Sequence, residues 1–403
     1  MLATRRMLLA ALAAALSGRA TAQATELRFA ALFPLSGPLA LLGDESFRGL
    51  EMATEERNAA GGVLGRPIRL IRTDVADAAQ AQAEARRLAA PGSERPVALF
   101  GTLDTQLSLA ASQAAELQGL PYLELVAPGD AVTERGFRLL MRACPRAADL
   151  ARTALDAIPA LADLLGEAPS TLRLAILHAD APSPQALATA LEGRIREAGL
   201  TLAERAGYAG QPPETTAAVR RLKAADVQVV LHAARVADAL PFFRVLQEEG
   251  WRPRAVIGVG GGYMLRETAQ AIGPGFEATL VADLPQPEIE ERFAPGMPAF
   301  AEAYRRRYGA DMRSGHSMAC YSGGLLFYDA LQRAGSTDPA RYRAAILATD
   351  IQEGGLPNGW GARFDEHGQN TRTRPVLQQW RGGKLLTVRP MEAAVAPMVV
   401  RTP

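Results

Sequence analysis

The chain has 403 residues, more than one ordinary core organises and enough for two lobes. Lys plus Arg total 44 against 43 Asp plus Glu, so nothing in the charge points to nucleic acid or an acidic membrane surface as the main partner. Aromatic residues make up only 6%, which argues against a broad stacking surface for bases or sugars.

Residues 1–24 read as an export signal: Arg5-Arg6, an apolar run from Met7 to Leu16, and Ala22-Gln23-Ala24 for cleavage. The apolar run is too short for a membrane span, and no span is expected later. Thr4-Arg5-Arg6 before Met7-Leu8-Leu9 also suits twin-arginine export, and an ordinary secretory signal fits equally well. No cysteine stands at the cleavage site, so the mature protein is expected to be soluble and periplasmic.

The stretch from Phe29 to Val75 then makes a strand–turn–helix–strand unit. Strand Phe29–Phe33 enters a Ser36-Gly37-Pro38 turn, a helix ends at Gly61-Gly62, and strand Ile68–Thr73 follows Pro67. Such a turn leaves helix N–H groups pointing outward, suited to an anion. Alternation continues with helix 78–90, strand 96–101, helix 108–118 and strand 122–125. A second series begins at strand 173–177, followed by helix 184–198, strand 202–208 and helix 214–224. Strand 227–231, helix 237–249 and strand 255–258 complete it. Two series of this kind predict an α/β protein with two doubly wound parallel sheets. Residues 138–142 and 279–282 read as crossings between lobes, with a helix starting near Ala147. Helices 298–308 and 318–334, strand 376–380 and a Gly382-Gly383 turn close the pattern. The tail 391–403 lacks periodicity and is expected to be poorly ordered.

PLSGPLALLGD, RGLEMA and NAAGGVLGRPIRL, with YSGGLLFYDAL, FDEHG and VLQQWRGGK further on, are words of a known family. Over about residues 26–390 the chain resembles the type I periplasmic solute-binding proteins, the leucine/isoleucine/valine-binding family of ABC importers. The resemblance implies two discontinuous lobes joined by three crossover segments: 26–142 plus 283–352, and 143–282 plus 353–390. It also implies an interlobe cleft closed by hinge motion around a small ligand, a membrane permease as partner, a monomer, and no cofactor.

Family positions supply the candidate ligand contacts. Thr105, after Asp104 at the mouth of a helix, suits a carboxylate, and either residue can instead serve only as the helix cap. Ala127 and Pro128 follow the next strand, with Pro128 where amino-acid binders keep a hydroxyl. In lobe two, Ser183 stands where an aromatic is usual, Arg235 replaces a tyrosine, and Gly260 replaces the acid that holds an ammonium. Tyr263 is read as a substitute aromatic or a packing residue, Arg235 as a carboxylate reader or a solvated charge. Leu42 and His316 take two further cleft positions, a lone histidine being more often structural. A buried ammonium without an anion is costly, so a small apolar or aromatic carboxylate is preferred over an amino acid.

No phosphate loop, nucleophile elbow or defensible Cys/His pair is present, and no enzyme activity is expected. The four histidines share no ligand-type spacing, so no metal is expected. Cys144 and Cys320 read as two buried thiols, with a bond between them the alternative. A sensing module contacting a receptor or regulator is the competing function.

Overall fold

The computed structural model describes residues 26–210 and 212–401; the export signal expected over 1–24 falls outside them. Lobe one is built on β1 (Leu27–Phe33), α1 (Ala40–Ala59), β2 (Ile68–Asp74), α2 (Ala78–Ala89), β3 (Ala98–Gly101), α3 (Thr105–Leu117), β4 (Tyr122–Glu124), α4 (Ala131–Glu134) and β5 (Leu140–Arg142). Its five strands are parallel in the order β2-β1-β3-β4-β5. Alternate residues of β1 serve different cores. Phe29, Ala31 and Phe33 face Leu50 and Tyr328, while Ala30 and Leu32 face Ala81 and Leu107. A near-continuous apolar strand is what a sheet covered on both faces requires.

The chain passes to the second sheet through α5 (Ala147–Leu155) and α6 (Ala157–Leu165). That lobe then adds β6 (Arg173–Ala179), α7 (Pro182–Glu197), β7 (Thr201–Tyr208), α8 (Pro212–Ala224), β8 (Val229–Ala233), α9 (Ala239–Glu248), β9 (Ala255–Val259), α10 (Arg266–Ile272) and β10 (Leu280–Asp283). Returning, the chain forms α11 (Met297–Tyr308), α12 (His316–Ala334) and α13 (Pro339–Leu347). Helix α12 lies against α1 so closely that a Cβ on Gly49 would sit 1.8 Å from the Ser317 carbonyl oxygen. A two-stranded ribbon, β11 (Asp350–Ile351) with β12 (Ala362–Arg363), precedes the hairpin β13 (Val376–Arg381) and β14 (Lys384–Arg389). The second sheet runs β14-β13-β10-β9-β8-β6-β7, parallel except for that hairpin, which the sequence pattern had suggested only as a strand and a turn.

The fold is thus two doubly wound lobes, as the alternation predicts, with three corrections at the seams. Residues 140–142 are a sheet strand rather than only a crossing, because Leu140 and Met141 are buried against the edge of β4. Residues 280–283 likewise form β10 and carry the hairpin. The tail packs: Val399 exchanges two hydrogen bonds with the Gln379 amide, at 3.0 and 2.7 Å, and Ala393 and Met398 are buried. Two isolated backbone bonds, Val395 N–H to the Thr387 carbonyl at 3.0 Å and Glu290 N–H to the Ala393 carbonyl at 3.1 Å, add to these without forming a ladder, so the tail shows no period. Both cysteines are free and buried. No helix among the described residues is long and apolar enough to cross a membrane.

The end of β5 and residues 368–370 run side by side. The Arg142 N–H donates to the Gly368 carbonyl at 2.8 Å and the Asn370 N–H to the Arg142 carbonyl at 2.9 Å. The fully buried Arg142 guanidinium donates to Gln369 Oε1 (2.5 Å), the Gly129 carbonyl (2.6 Å) and Thr133 Oγ1 (3.1 Å). A buried cation survives only with such partners.

Candidate functional site

Parallel strands leave their carboxyl ends and the following helix starts on one side of each sheet. Here those ends face each other across a cavity of about 640 Å³. Leu42, Leu103, Leu107, Val126 and Pro128 come from lobe one, and Pro184, Leu187, Val236 and Pro241 from lobe two. The wall is mainly apolar.

Buried Glu124 holds the lobe-one loops in place. Its Oε1 accepts from the N–H groups of Leu125, Val126 and Ala127 at 2.9, 3.0 and 2.9 Å. Its Oε2 accepts from the Thr102 N–H at 2.8 Å and the Tyr122 hydroxyl at 3.1 Å. The loops after β3 and β4 therefore share one carboxylate. Turning inward to reach it takes Ala127 off the wall: it is fully buried, a correction to its expected contact role. Pro128 remains on the wall.

Asp104 caps α3, accepting from the Gln106 and Leu107 N–H groups at 2.7 and 3.3 Å. The Ser183 hydroxyl of lobe two donates to Asp104 Oδ2 and accepts from the Thr105 N–H, each at 3.1 Å. Thr105 Oγ1 accepts from the Gly129 N–H at 3.1 Å. Thr105 is buried off the wall, and the seat foreseen for a carboxylate is filled by the protein's own serine.

Arg235 lines the cavity but is not free. Its Nε donates to Asp238 Oδ2 at 3.0 Å and its Nη2 to Oδ1 at 3.0 Å, a forked pair that neutralises both charges. Asp238 also accepts from the Tyr208 hydroxyl at 2.9 Å. Arg235 is neither an open carboxylate reader nor an unpaired surface charge.

Tyr263 is fully buried and absent from the wall, the packing alternative rather than the ligand one. A Cβ on Gly258 would lie 2.1 Å from its ring, so that glycine makes room for the ring against β9. Its hydroxyl pairs with His232 Nδ1 at 2.6 Å. Gly260 reaches the wall through a turn with φ 68° there and 70° at Gly261.

Leu42 and His316 are on the wall. His316 Nδ1 pairs with the Ser314 hydroxyl at 3.1 Å, and burial lowers its pKa to about 4, leaving the ring neutral near pH 7. The structure thus gathers Leu42, Asp104, Pro128, Ser183, Arg235, Gly260 and His316 at one cavity and leaves Thr105, Ala127 and Tyr263 behind it.

Sequence reasoning missed Asp283, which ends β10 on the wall and is only 5% exposed. The available signal was an acid closing the apolar run Leu280-Val281-Ala282. Asp77, the cap of α2, is a second acid on the wall that escaped notice.

Two α/β lobes, three crossings and an apolar cavity at the strand ends define a cleft-type solute-binding protein. Comparison with known proteins agrees: residues 26–384 match the Periplasmic binding protein family. Leu/Ile/Val-binding protein homolog 7 of Brucella suis biovar 1 (strain 1330) is 39% identical over 394 residues, covering 97% of this chain and 98% of that protein. The chain belongs to the periplasmic binding protein family, among its Leu/Ile/Val-binding type members. A leucine-binding protein from Thermotoga maritima MSB8 superposes with a TM-score of 0.77 at 20% identity, over 90% of this chain and 97% of its own. A solute-binding protein from R. palustris in complex with benzoate gives 0.72 at 18% identity, over 93% and 99%.

Proposed function

We propose that this protein is the extracytoplasmic solute-binding subunit of an ABC importer, trapping a small, mainly apolar ligand between its lobes and delivering it to a membrane permease. The observation that carries this reading is the 640 Å³ cavity walled by leucine, valine and proline side chains of both lobes. Lobe one would comprise 26–142 and 283–352, lobe two 143–282 and 353–390, rotating about the three crossings as rigid bodies. The relatives support the apolar body: leucine, isoleucine, valine and benzoate share a compact hydrocarbon part. A carboxylate on that ligand would have to displace Ser183 from the Thr105 N–H and Asp238 from Arg235. The family supports a periplasmic location, and removal of a leader near Ala24 is part of the same proposal.

A thermal-shift screen of amino acids, amines, amides and carboxylates tests the reading. Concentration-dependent stabilisation by a compact apolar solute is expected, since a ligand held a hundredfold above its Kd adds about 2.7 kcal/mol. Failure of every small solute to stabilise the protein would overturn it.

A further inference from the structure

We propose that Asp283 anchors the positive end of the ligand, a protonated amine carried on a small apolar body; this deepens the solute-binding reading and rests on it. Three buried carboxylates make the comparison. Glu45 accepts from the Tyr304 hydroxyl (2.6 Å), the Ser317 hydroxyl (2.7 Å) and the Arg313 N–H (3.2 Å). Glu124 has the five donors described above. Asp283, 5% exposed where the other two are fully buried, has one: its Oδ1 accepts from the adjoining Leu284 N–H at 2.9 Å. Its Oδ2 has no protein partner among the described residues, and no cation pairs with it. Buried carboxylates are normally paired or hydrogen-bonded throughout, because leaving one unmet is costly. This one stands where the cavity could supply the missing partner.

The rest of the wall has the same sign. Asp77, Asp104 and Asp238 are its other acids and Arg235 its only strong base, already held by Asp238. A cation entering between them meets the carboxylates of Asp77, Asp104 and Asp283, none of them ion-paired among the described residues, whereas an anion finds Arg235 already held by Asp238 and, beyond the engaged Ser183 hydroxyl, only Gln106 and His316 as further side-chain donors. The geometry therefore reverses the preference for a carboxylate and restores an acid for an ammonium, on β10 instead of at Gly260.

Burial raises Asp283 to about 7 in the empty protein, so a cation must bind with release of a proton below that pH. Affinity should then fall about a hundredfold between pH 8 and pH 5. The groups sharing the cavity are Asp77, Asp104, the Arg235–Asp238 pair and His316; His316, with a pKa of about 4, stays neutral across that range.

Calorimetric titration of the wild type and Asp283→Asn with isoamylamine, leucine and isovalerate, at pH 8 and pH 5, tests the proposal. The expected result is binding of an ammonium-bearing probe at pH 8, weakened about a hundredfold at pH 5. In D283N that affinity should drop by a similar factor at pH 8 and lose its pH dependence, with the melting temperature of the variant reporting that it is folded. Isoamylamine binding would identify a simple amine, and leucine binding alone an amino acid. Tighter binding of isovalerate than of either, or D283N affinity within twofold of wild type, overturns the proposal and leaves solute binding intact. If no probe binds, the Asp283 proposal falls; the solute-binding reading falls with it only if the wider thermal-shift screen is also silent.

Discussion

Replacing Glu124 by Gln should unfold the loops that shape the cleft before it disturbs either sheet. The carboxylate receives five hydrogen bonds: three backbone N–H groups on Oε1, and the Thr102 N–H and Tyr122 hydroxyl on Oε2. An amide has one oxygen. Its better orientation points that oxygen at Leu125–Ala127 and sets its NH₂ against the Thr102 N–H, donor to donor. One buried unsatisfied donor costs about 1–3 kcal/mol. The three retained bonds lose their charge assistance, which roughly halves their strength. Arg142, fully buried nearby, also loses an anion that holds it charged. Together these place the loss at about 3–5 kcal/mol, the range for breaking a buried charged network. Urea unfolding of E124Q against wild type measures it, and ligand affinity should weaken in parallel because both loops face the cavity. A stability loss below about 1 kcal/mol would refute the reasoning, showing that the loops hold their shape without the charge.

Ser183→Ala removes both hydrogen bonds that tie the lobes at Asp104 and Thr105. At about 0.5–1.5 kcal/mol per bond, the empty protein should open, visible as a larger radius of gyration in solution scattering; unchanged scattering would count against the latch. Acid should destabilise the fold through two histidines, His232 at about 3 and His316 at about 4, against 6.5 unfolded. Between those values the unfolded chain binds more protons, so their contribution is complete above pH 6.5 and each costs about 3 kcal/mol by pH 4. His316→Gln should remove its share of the slope in urea unfolding measured from pH 7 to 4, and an unaltered slope would contradict the assignment. Asp283 has the opposite sign: raised from 3.8 to about 7, it favours the fold fully below pH 3.8 and loses that contribution as pH rises through 7. D283N without ligand should therefore be more stable than wild type at pH 8 by about 3–4 kcal/mol, and a less stable variant there would mean the carboxylate is satisfied.

The architecture was legible because it is written locally. β1 reads as a strand from its own apolar run, and α1 ends where Gly61 and Gly62 stop it. The seams were harder: Leu140–Arg142 becomes a strand only because the edge of β4 is there to receive it. The location of the cavity followed from the topology, and seven of ten proposed contacts reached it. Their chemistry did not follow, since Thr105, Ser183 and Tyr263 are committed by partners that a linear pattern does not display. Thr105 is engaged by Ser183 from the other lobe. Tyr263 turns inward because Gly258 leaves space and His232 offers a nitrogen.

Arg235 is the instructive exception, for its partner Asp238 lies only three residues on and could have been foreseen. An unpaired arginine on a cleft wall argues for an anionic ligand; a chelated one argues for nothing by itself. Once that pair is neutral, the sign of the cavity passes to Asp77, Asp104 and Asp283. Asp283 is the most consequential of these because it also ends the strand on which the second crossing begins. The Leu284 N–H it holds is the first peptide of that crossing, and Gly315 packs within reach of Leu284 and Pro285 from lobe one. A cation drawn to the carboxylate would therefore be bound where the chain leaves one lobe for the other. Binding energy gained at that point is available to favour the closed arrangement over the open one, which a contact on the outer wall of a single lobe could not do.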